Sequence, residues 1–292
     1  MTQPSDIAYF TEAASVETVN DRVSDMADAR LKIVMNSLVR HLHAFVKDVE
    51  LTQDEWGVAV DFLTRTGQIC DGNRQEFILL SDVLGVSMLV DAINNRRPSG
   101  ATENTVLGPF HVDGVPEYEM GANITQQGGR ETCRFEGQVT DLDGTPIKGA
   151  RIDVWSDSED GFYDVQQPDI QPRHNNRGVF TTGPDGRYWF DGIKPVSYPI
   201  PDDGPVGQML GHLGRHPYRP AHMHFIVSAD GHETVTTHTF VAGDDYLTSD
   251  AVFGVKKTLI ADFEPVTNGE TLWRSRYDFV LTRKEGGAGD AD

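Results

Sequence analysis

The chain has 292 residues, of which 38% are hydrophobic and 24% are charged, and its formal net charge is −20. This length and composition are typical of a globular protein with a sizeable core and exclude a disordered chain. The negative charge argues against a nucleic-acid partner, because a phosphate backbone needs the opposite sign. It would also repel an anionic substrate, so a local positive group is needed wherever such a substrate binds.

The N-terminus and the cysteines indicate a cytoplasmic protein. The opening sequence MTQPSDIAYFTEAAS has neither the basic region nor the apolar region of a signal peptide. No stretch has the apolar length needed to cross a bilayer. Cys70 and Cys133 lie far apart and lack CxxC spacing, which favours two reduced thiols. We therefore expect a soluble cytoplasmic protein that does not insert into a membrane.

The first hundred residues are predicted to be helical. Apolar residues recur at three- and four-residue steps between Val19 and Val46. The sequence LTQDEW indicates a helix start, with Thr52 as the N-cap and Glu55 completing a capping box. A third segment, residues 74–95, is apolar nearly all round, and we expect it to be buried, with another subunit as one candidate partner. The sequence NNRRPSGA breaks this pattern and marks a boundary.

Beyond this boundary the hydrophobic period changes to two. The runs CRFEGQV, ARIDVW, GRYWF, HMHFIV, THTFV and YDFVL are separated by turn sequences such as DLDG and SADG, which predicts a β-sandwich. The predicted fold is α+β and mainly β, with a helical domain at residues 1–100 and a sandwich domain at residues 101–292. We expect the helical domain to form a dimer seam, because its apolar faces exceed what one sandwich can cover. The tail EGGAGDAD is expected to be disordered.

Two histidines separated by one residue suggest a metal site. His222 and His224 lie on a predicted strand, so both imidazoles leave the same face. This signal is weak alone, because paired histidines are common in cores and on surfaces, and a metal needs three or four ligands. Tyr163, at the end of a strand, and Tyr198, in a proline-stiffened loop, are candidate ligands, although either can be a packing residue with a hydrogen-bonded hydroxyl. A phenolate is a hard anionic ligand that suits Fe(III).

These residues together resemble the intradiol ring-cleavage dioxygenases. The similarity covers GFY, the proline-bracketed tyrosine, GRHPYRPAHMHFIVSADGH, THTFVAGDDYLTSDAVFGVK and the upstream ENTVLGPFHV, which is most of the chain from about Arg74 to Phe279. The resemblance implies one Fe(III) per subunit. It also implies a homodimer through the helical region, often with a bound phospholipid. The implied iron ligands are Tyr163, Tyr198, His222 and His224.

The resemblance also implies catalytic roles. Tyr198 would act as both ligand and base, taking a substrate proton when the catechol arrives. Arg219 would supply the local cation and stabilise negative charge that develops on the ring, whereas an isolated arginine would form a surface salt bridge. His238 lies where catechol-type members usually carry glutamine, which leaves its role open. The other histidines of this region are expected to be exposed or structural: His212, His216 and His232.

Similarity to particular members of the family indicates which ring substituents the substrate carries. The chain most resembles the family members that cleave hydroxyquinol (1,2,4-trihydroxybenzene), in VLGPF, in LLSDVLGVSML and in the long helical N-terminus. These members use O2 to form 3-hydroxy-cis,cis-muconate, whose keto form is maleylacetate. Catechol or a chlorocatechol is the alternative substrate. Asp82 lies in an apolar helix and needs a partner, which is either a third ring hydroxyl or a nearby backbone group or arginine. The expected pocket residues are Leu79, Asp82, Leu107, Gly108, Pro109, Phe110, Ile200, Pro201, Arg219 and Val252.

Two readings from other classes stay open. The sequence DLDGTPIKGARIDVW also resembles transthyretin-like sandwiches, many of which bind no metal. A zinc hydrolase is the other reading, because histidine pairs serve zinc as well as iron.

Overall fold

The computed structural model describes residues 9–23, 25–72, 74–267 and 269–284, which form two compact units, Met1–Gln68 and Ile69–Asp292. The division lies earlier in the chain than the predicted boundary at residue 100, so the segment 74–95 belongs to the second unit. The predicted disordered tail lies outside the described residues. Within the described ranges, no helix combines the length and apolarity that a membrane span requires.

The first unit consists of helices whose starts are set by side-chain caps. Its helices are α1 (Ser15–Asp21), α2 (Ala29–Asp48) and α3 (Gln53–Gln68). At the start of α2, the Asp28 carboxylate accepts a hydrogen bond from the Leu31 amide at 2.9 Å. Before α3, the Thr52 amide donates to the Glu55 carboxylate at 2.9 Å, and the Glu55 amide donates to the Thr52 hydroxyl at 3.3 Å. The predicted capping box is confirmed.

The apolar side chains of α2 are not covered within this chain. None of its residues, all of which the structure describes, is buried. Large apolar side chains stay exposed along the helix: Leu31, Ile33, Val34, Leu38, Leu42, Phe45 and Val46.

The segment 74–95 forms two helices, where the sequence suggested one. These are α4 (Glu76–Val83) and α5 (Val86–Asn94). Gly85 makes the corner between them with φ +73°, a left-handed conformation that glycine adopts without steric cost. Within this chain only Glu76, Val83 and Met88 of the two helices are buried, so burial of the rest, with another subunit as candidate partner, stays a prediction. Exposed apolar side chains include Phe77, Ile78, Leu89, Val90 and Ile93.

The first turn of α4 is anchored by a buried carboxylate. Glu76 accepts a hydrogen bond from the Val206 amide at 3.1 Å, at the start of α6 (Pro205–His212). Arg74 pairs with the same carboxylate at 2.9 Å. The helix dipole of α6 favours a negative charge at this end, so the contact holds α4 against α6.

The rest of the second unit is a β-sandwich, which confirms the predicted α+β and mainly β fold. The strands are β1 (Thr132–Asp141), β2 (Arg151–Trp155), β3 (Arg177–Thr181), β4 (Arg187–Ile193), β5 (Tyr198–Pro199), β6 (Tyr218–Arg219), β7 (His222–Ser228), β8 (Val235–Val241), β9 (Ile260–Ala261), β10 (Phe263–Pro265), β11 (Trp273–Arg276) and β12 (Phe279–Leu281). Among the described residues, one sheet has the order β10-β11-β1-β12 with β4 also on β1, and the other has the order β3-β2-β7-β8-β9. Strands β5 and β6 pair separately.

Strand β7 shows how the sandwich separates its core from the candidate site. Met223, Phe225 and Val227 point into the apolar core between the sheets, together with side chains of β1, β2 and β4. Because side chains alternate along a strand, His222 and His224 leave the opposite face. The core therefore fixes the register that presents both histidines on one side.

Candidate metal centre

Four buried side chains bring their donor atoms together beside β7. The Tyr163 hydroxyl oxygen lies 2.9 Å from His224 Nε2 and 3.3 Å from the Tyr198 hydroxyl oxygen. The Tyr198 oxygen lies 3.4 Å from His222 Nε2, which is 3.2 Å from His224 Nε2. The structure thus gathers the four side chains that the resemblance singled out, and none is more than 5% exposed.

Each tyrosine is held by the local structure of its loop. The Tyr163 amide donates to the Gln166 side chain at 2.9 Å, in a turn that follows Gly161 with φ +79°. A Cβ atom at Gly161 would lie 3.1 Å from Cβ of Tyr198, so the glycine allows the two loops to approach closely. Tyr198 pairs with Arg219 across β5 and β6.

Two aromatic side chains close the centre from the sides. Trp155, next to His224 in the β2–β7 register, stacks on its ring with centroids 4.6 Å apart. Phe110 stacks on Tyr163, also at 4.6 Å. Such contacts fix ring orientations and keep water away from the donor atoms.

The hydrogen bonds of His222 define which nitrogen is free. Its Nδ1 lies 2.7 Å from the Pro220 carbonyl oxygen, so Nδ1 carries the proton. Its Nε2 lies 3.1 Å from Nη1 of Arg219, and a guanidinium can only donate. Nε2 of His222 is therefore the unprotonated nitrogen, whose lone pair could bind a metal in place of the Arg219 hydrogen bond.

Burial sets the protonation of all four groups. It lowers the pKa of His222 and His224 well below the ordinary value, and the nearby positive charge of Arg219 acts in the same direction, so both imidazoles are neutral. Burial also raises the pKa of Tyr163 and Tyr198. Both phenols are therefore neutral on their own, and a cation among the donor atoms is needed to hold them as phenolates.

The spacing of these atoms suits one metal ion. Ligands bonded at about 2.0–2.1 Å are separated by about 2.9 Å at right angles and about 3.4 Å at tetrahedral angles. The measured separations run from 2.9 to 3.4 Å. Two anionic oxygens and two neutral nitrogens form a donor set that fits Fe(III).

His238 offers a second combination of ligands. It lies opposite His224 in the β7–β8 register, and donor atoms of His222, His224 and His238 lie within 4.8 Å of one another. Its Nδ1 is bound to the Thr105 hydroxyl at 2.8 Å, and its buried Nε2 has no hydrogen-bond partner among the described residues. The shorter separations in the tyrosine-containing set favour that set.

Arg219 is a buried cation beside the centre, not a surface residue. Its Nε donates to Asp250 Oδ1 at 3.2 Å, and it is 4% exposed. Burial lowers the pKa of Arg219, but the charge and hydrogen bond of Asp250, together with the effects of Tyr198 and Tyr163, outweigh it and raise the pKa above the ordinary value. Asp250 is a residue that the sequence analysis missed, because it lies 31 residues away from Arg219 with no local signal of the pairing.

The structure brings two predicted pocket residues, Gly108 and Phe110, to the centre, and a third, Asp82, is affected by the charge of Arg219. A Cβ atom at Gly108 would lie 3.0 Å from Cε1 of His224, and Phe110 stacks on Tyr163 as described. Asp82 is half-buried; burial raises the pKa of its carboxyl, while a hydrogen bond to Ser87 and the charge of Arg219 lower it. Asp82 therefore lies within electrostatic range of Arg219.

The remaining predicted pocket residues differ in burial. Ile200 follows Tyr198 by two residues and is buried, and the Val252 amide donates to Asp250. For the others the pocket assignment stays a prediction: Leu79 is half-buried, and Leu107, Pro109 and Pro201 are exposed.

The other predicted histidines stay outside the cluster. His212 is exposed, as expected. His216 is half-buried, less exposed than His212, and is hydrogen-bonded to Ser249 at 2.9 Å. His232 binds the Asp230 carbonyl at 2.9 Å in a turn.

Comparison with known proteins places this arrangement among dioxygenases. The family described as "Dioxygenase" matches residues 108–283, and "Catechol dioxygenase N terminus" matches residues 28–102. A hydroxyquinol 1,2-dioxygenase of Rhizobium sp. (strain MTP-10005) is 56% identical, over 97% of this chain and 99% of its own. A 6-chlorohydroxyquinol 1,2-dioxygenase of Cupriavidus pinatubonensis is 52% identical, over 89% and 93%. The solved hydroxyquinol 1,2-dioxygenase of Pseudomonas putida DLL-E4 has a TM-score of 0.90 at 45% identity, covering 94% of this chain and 99% of that one.

Proposed function

The chain belongs to the intradiol ring-cleavage dioxygenases, and we propose that it cleaves hydroxyquinol with O2 to 3-hydroxy-cis,cis-muconate, whose keto form is maleylacetate. The observation that carries this proposal is the cluster of two phenol oxygens and two imidazole nitrogens, each 2.9–3.4 Å from its neighbours. The names of the relatives support hydroxyquinol in preference to catechol or a chlorocatechol.

The proposed cofactor is one Fe(III) per subunit, held by Tyr163, Tyr198, His222 and His224. When bound, the ferric ion would bind the ring oxygens and delocalise their charge, which would make the ring reactive towards O2. Neutral imidazoles and a buried, water-poor environment are supplied by the chain itself.

Tyr198 is the proposed base. Its phenolate takes a proton from a substrate hydroxyl, and burial favours this transfer because burial raises the pKa of the phenol. Arg219, which pairs with Tyr198 across the β5–β6 ribbon, opposes that effect by lowering the pKa of the phenol. Because Arg219 offsets part of the effect of burial, the pKa of Tyr198 stays closer to the range in which the phenol can both lose and regain a proton.

Arg219 is the proposed electrostatic catalyst. It carries a permanent positive charge, and its contact with Asp250 leaves Nη1 turned towards His222 and the substrate region. A buried guanidinium stabilises negative charge that develops on a bound ring far more than a solvated one does. It also supplies the local cation that a chain of net charge −20 needs.

Asp82 is the proposed partner of the third ring hydroxyl. Asp82 is half-buried, and the positive charge of Arg219 lowers the pKa of its carboxyl. A site that hydrogen-bonds a hydroxyl rejects rings without it, because its own polar group is then left without a partner. Catechol, which lacks this hydroxyl, is therefore expected to be a poorer substrate.

Oxygen uptake with hydroxyquinol, catechol and 4-chlorocatechol, with spectra of the products, tests this function. Hydroxyquinol should have the highest kcat/KM, by about 100-fold or more over catechol. The iron-loaded protein should be red to burgundy through phenolate-to-iron charge transfer. A colourless, fully folded protein would favour a transthyretin-like binding module, and activity that survives replacement of iron by zinc would favour a hydrolase.

The assembly and compartment are also proposals. The exposed apolar side chains of α2 and α3 support a homodimer through the helical region, with a phospholipid as a further candidate ligand. Cys70 and Cys133 form no disulfide within the described part of the chain, which agrees with the proposed cytoplasmic location. Sedimentation and lipid extraction followed by mass spectrometry test the first two points.

A further inference from the structure

Arg215, in the turn after α6, joins two segments that are distant in sequence. Its Nη1 donates to the Val83 carbonyl at 2.5 Å, and its Nη2 donates to the Ala251 carbonyl at 2.9 Å. Val83 is the last residue of α4, and Ala251 follows Asp250 directly. A guanidinium is a rigid planar fork, so these two bonds fix the separation of the two carbonyls.

The second of these segments is a loop closed around the Asp250 carboxylate. Oδ1 accepts from Nε of Arg219 and from the Val252 amide, both at 3.2 Å, and Oδ2 accepts from the Gly254 amide at 2.8 Å. A Cβ atom at Gly254 would lie 3.0 Å from Nη2 of Arg219. The position of this loop therefore determines where the guanidinium of Arg219 lies.

Phe253 adds a second contact between the loop and the helices. Its φ of +59° is left-handed, which bulky residues rarely adopt and which persists only where the surroundings impose it. The Arg215 guanidinium lies 4.8 Å from the centroid of the Phe253 ring. A Cβ atom at Gly85 would be in contact with this ring at 3.5 Å, so the ring packs on the corner between α4 and α5.

The first segment carries the carboxylate that we assign to the third hydroxyl. Asp82 directly precedes Val83, the residue bound by Arg215. The positive charge of Arg219 lowers the pKa of the Asp82 carboxyl, so the two charged groups are close enough to interact. Arg215 thus connects the backbone that bears Asp82 with the loop that orients Arg219.

We propose that Arg215 is a positioning residue for ring recognition, which sets the separation of Asp82 and Arg219 through Val83 and Ala251. This inference rests on the proposed hydroxyquinol activity. Loss of Arg215 should affect a ring that contacts both residues more than a ring that contacts Arg219 alone. The four proposed iron ligands lie on other strands and loops, so the metal centre should be unchanged.

The test measures kcat and KM of the iron-loaded Arg215→Met variant for hydroxyquinol and catechol, with its iron content and visible spectrum. We expect KM for hydroxyquinol to rise about tenfold and kcat to change less than about twofold, because the effect is on substrate position. KM for catechol should rise less than about threefold, and the visible band should stay in place. Arg187→Met, which removes an exposed arginine of β4, is the matched control and should behave as the wild type.

A double-mutant cycle with Asp82→Asn separates positioning from general damage. In the Asp82→Asn background, Arg215→Met should change KM for hydroxyquinol less than about threefold, since the two residues act through one interaction. Additive effects would overturn the proposal, as would equal losses with both rings or a shifted visible band. If Arg215→Met does not fold, by circular dichroism, Arg215→Lys decides: it can reach one carbonyl, and an unchanged ratio of the two KM values would overturn the proposal.

Failure of the proposed function can be distinguished from failure of the proposed role of Arg215. A wild type with equal kcat/KM for the two rings would overturn the hydroxyquinol assignment and with it this role of Arg215. A wild type that prefers hydroxyquinol, with an Arg215→Met variant that keeps the full preference, would overturn the role of Arg215 alone.

Discussion

The two faces of β7 are built by opposite rules. On one face, Met223 and Phe225 lie in an apolar core whose stability comes from area removed from water and close packing. On the other, His222 and His224 lie in a polar layer that burial alone would destabilise, because each donor atom has lost its water. Neighbouring residues of one strand therefore serve stability and chemistry separately, and substitutions at adjacent positions should have different kinds of effect.

The largest effect is expected from His224→Ala. It removes one of the four proposed ligands, so iron binding and the visible band should be lost, and activity should fall by about 1,000-fold or more. The sandwich should still fold, because the apolar face of β7 is intact. Metal analysis and circular dichroism of the same sample check both parts, and a variant that keeps bound iron and colour would contradict the assignment.

Tyr198→Phe should separate the base from the metal site. We expect partial retention of iron, a shifted visible band and a loss of turnover of about 100-fold or more, since the proton acceptor is gone. Tyr218→Phe, at a partly exposed tyrosine that stacks on Tyr246, is the matched control. Single-turnover rates measure the difference, and an unchanged spectrum and rate would show that Tyr198 is neither ligand nor base.

Phe225→Ala should act on the other face of the same strand. The Phe225 ring is almost fully buried and packs on Phe279 with centroids 4.9 Å apart, so its removal should lower the free energy of unfolding by about 3–5 kcal/mol. Phe263→Ala, at a half-buried ring, should cost less. Urea unfolding measures both, and the iron band of the folded Phe225→Ala fraction should keep its position; a shift would show that the two faces are coupled.

Asp82→Ala should give the smallest of these effects and acts on ring choice. kcat/KM for hydroxyquinol should fall about tenfold or more, because the third hydroxyl loses its partner, whereas kcat/KM for catechol should change less than about threefold. Ser87→Ala, which removes the Ser87 hydroxyl that lowers the pKa of this carboxyl and also binds the Ser81 hydroxyl at 2.8 Å, provides a milder comparison. Equal losses with both rings would exclude Asp82 as the specificity residue.

Local pattern was enough to predict part of the fold. The period of two placed His222 and His224 on one face, and the capping box at Thr52 was readable because its partners are three residues apart. The break at Gly85 was not, because a helix tolerates a single glycine and only the structure shows its left-handed φ. What covers the segment 74–95 was not predictable either, since apolar composition does not say whether the covering surface belongs to the same chain.

The residues of the site also differ in whether the local sequence could identify them. The histidines carry a local signal, whereas the two tyrosines were assigned by resemblance, because nothing in their own sequence separates a ligand from a packing residue. The Asp250 partner of Arg219 and the bonds from Arg215 to Val83 and Ala251 join residues between 31 and 132 positions apart. Such pairings depend on loop paths that no local period encodes.

The alternation along β7 makes the metal centre a reporter of folding. A slip of one residue in the pairing of β7 would exchange the histidines with the core side chains, because each side chain of a strand points to one face of the sheet or to the other. A molecule with the wrong pairing would therefore lack both its packed interior and its iron site. During refolding in the presence of ferric iron, the burgundy absorption should therefore rise in proportion to the fraction of molecules in which β7 has the correct register, without any added label.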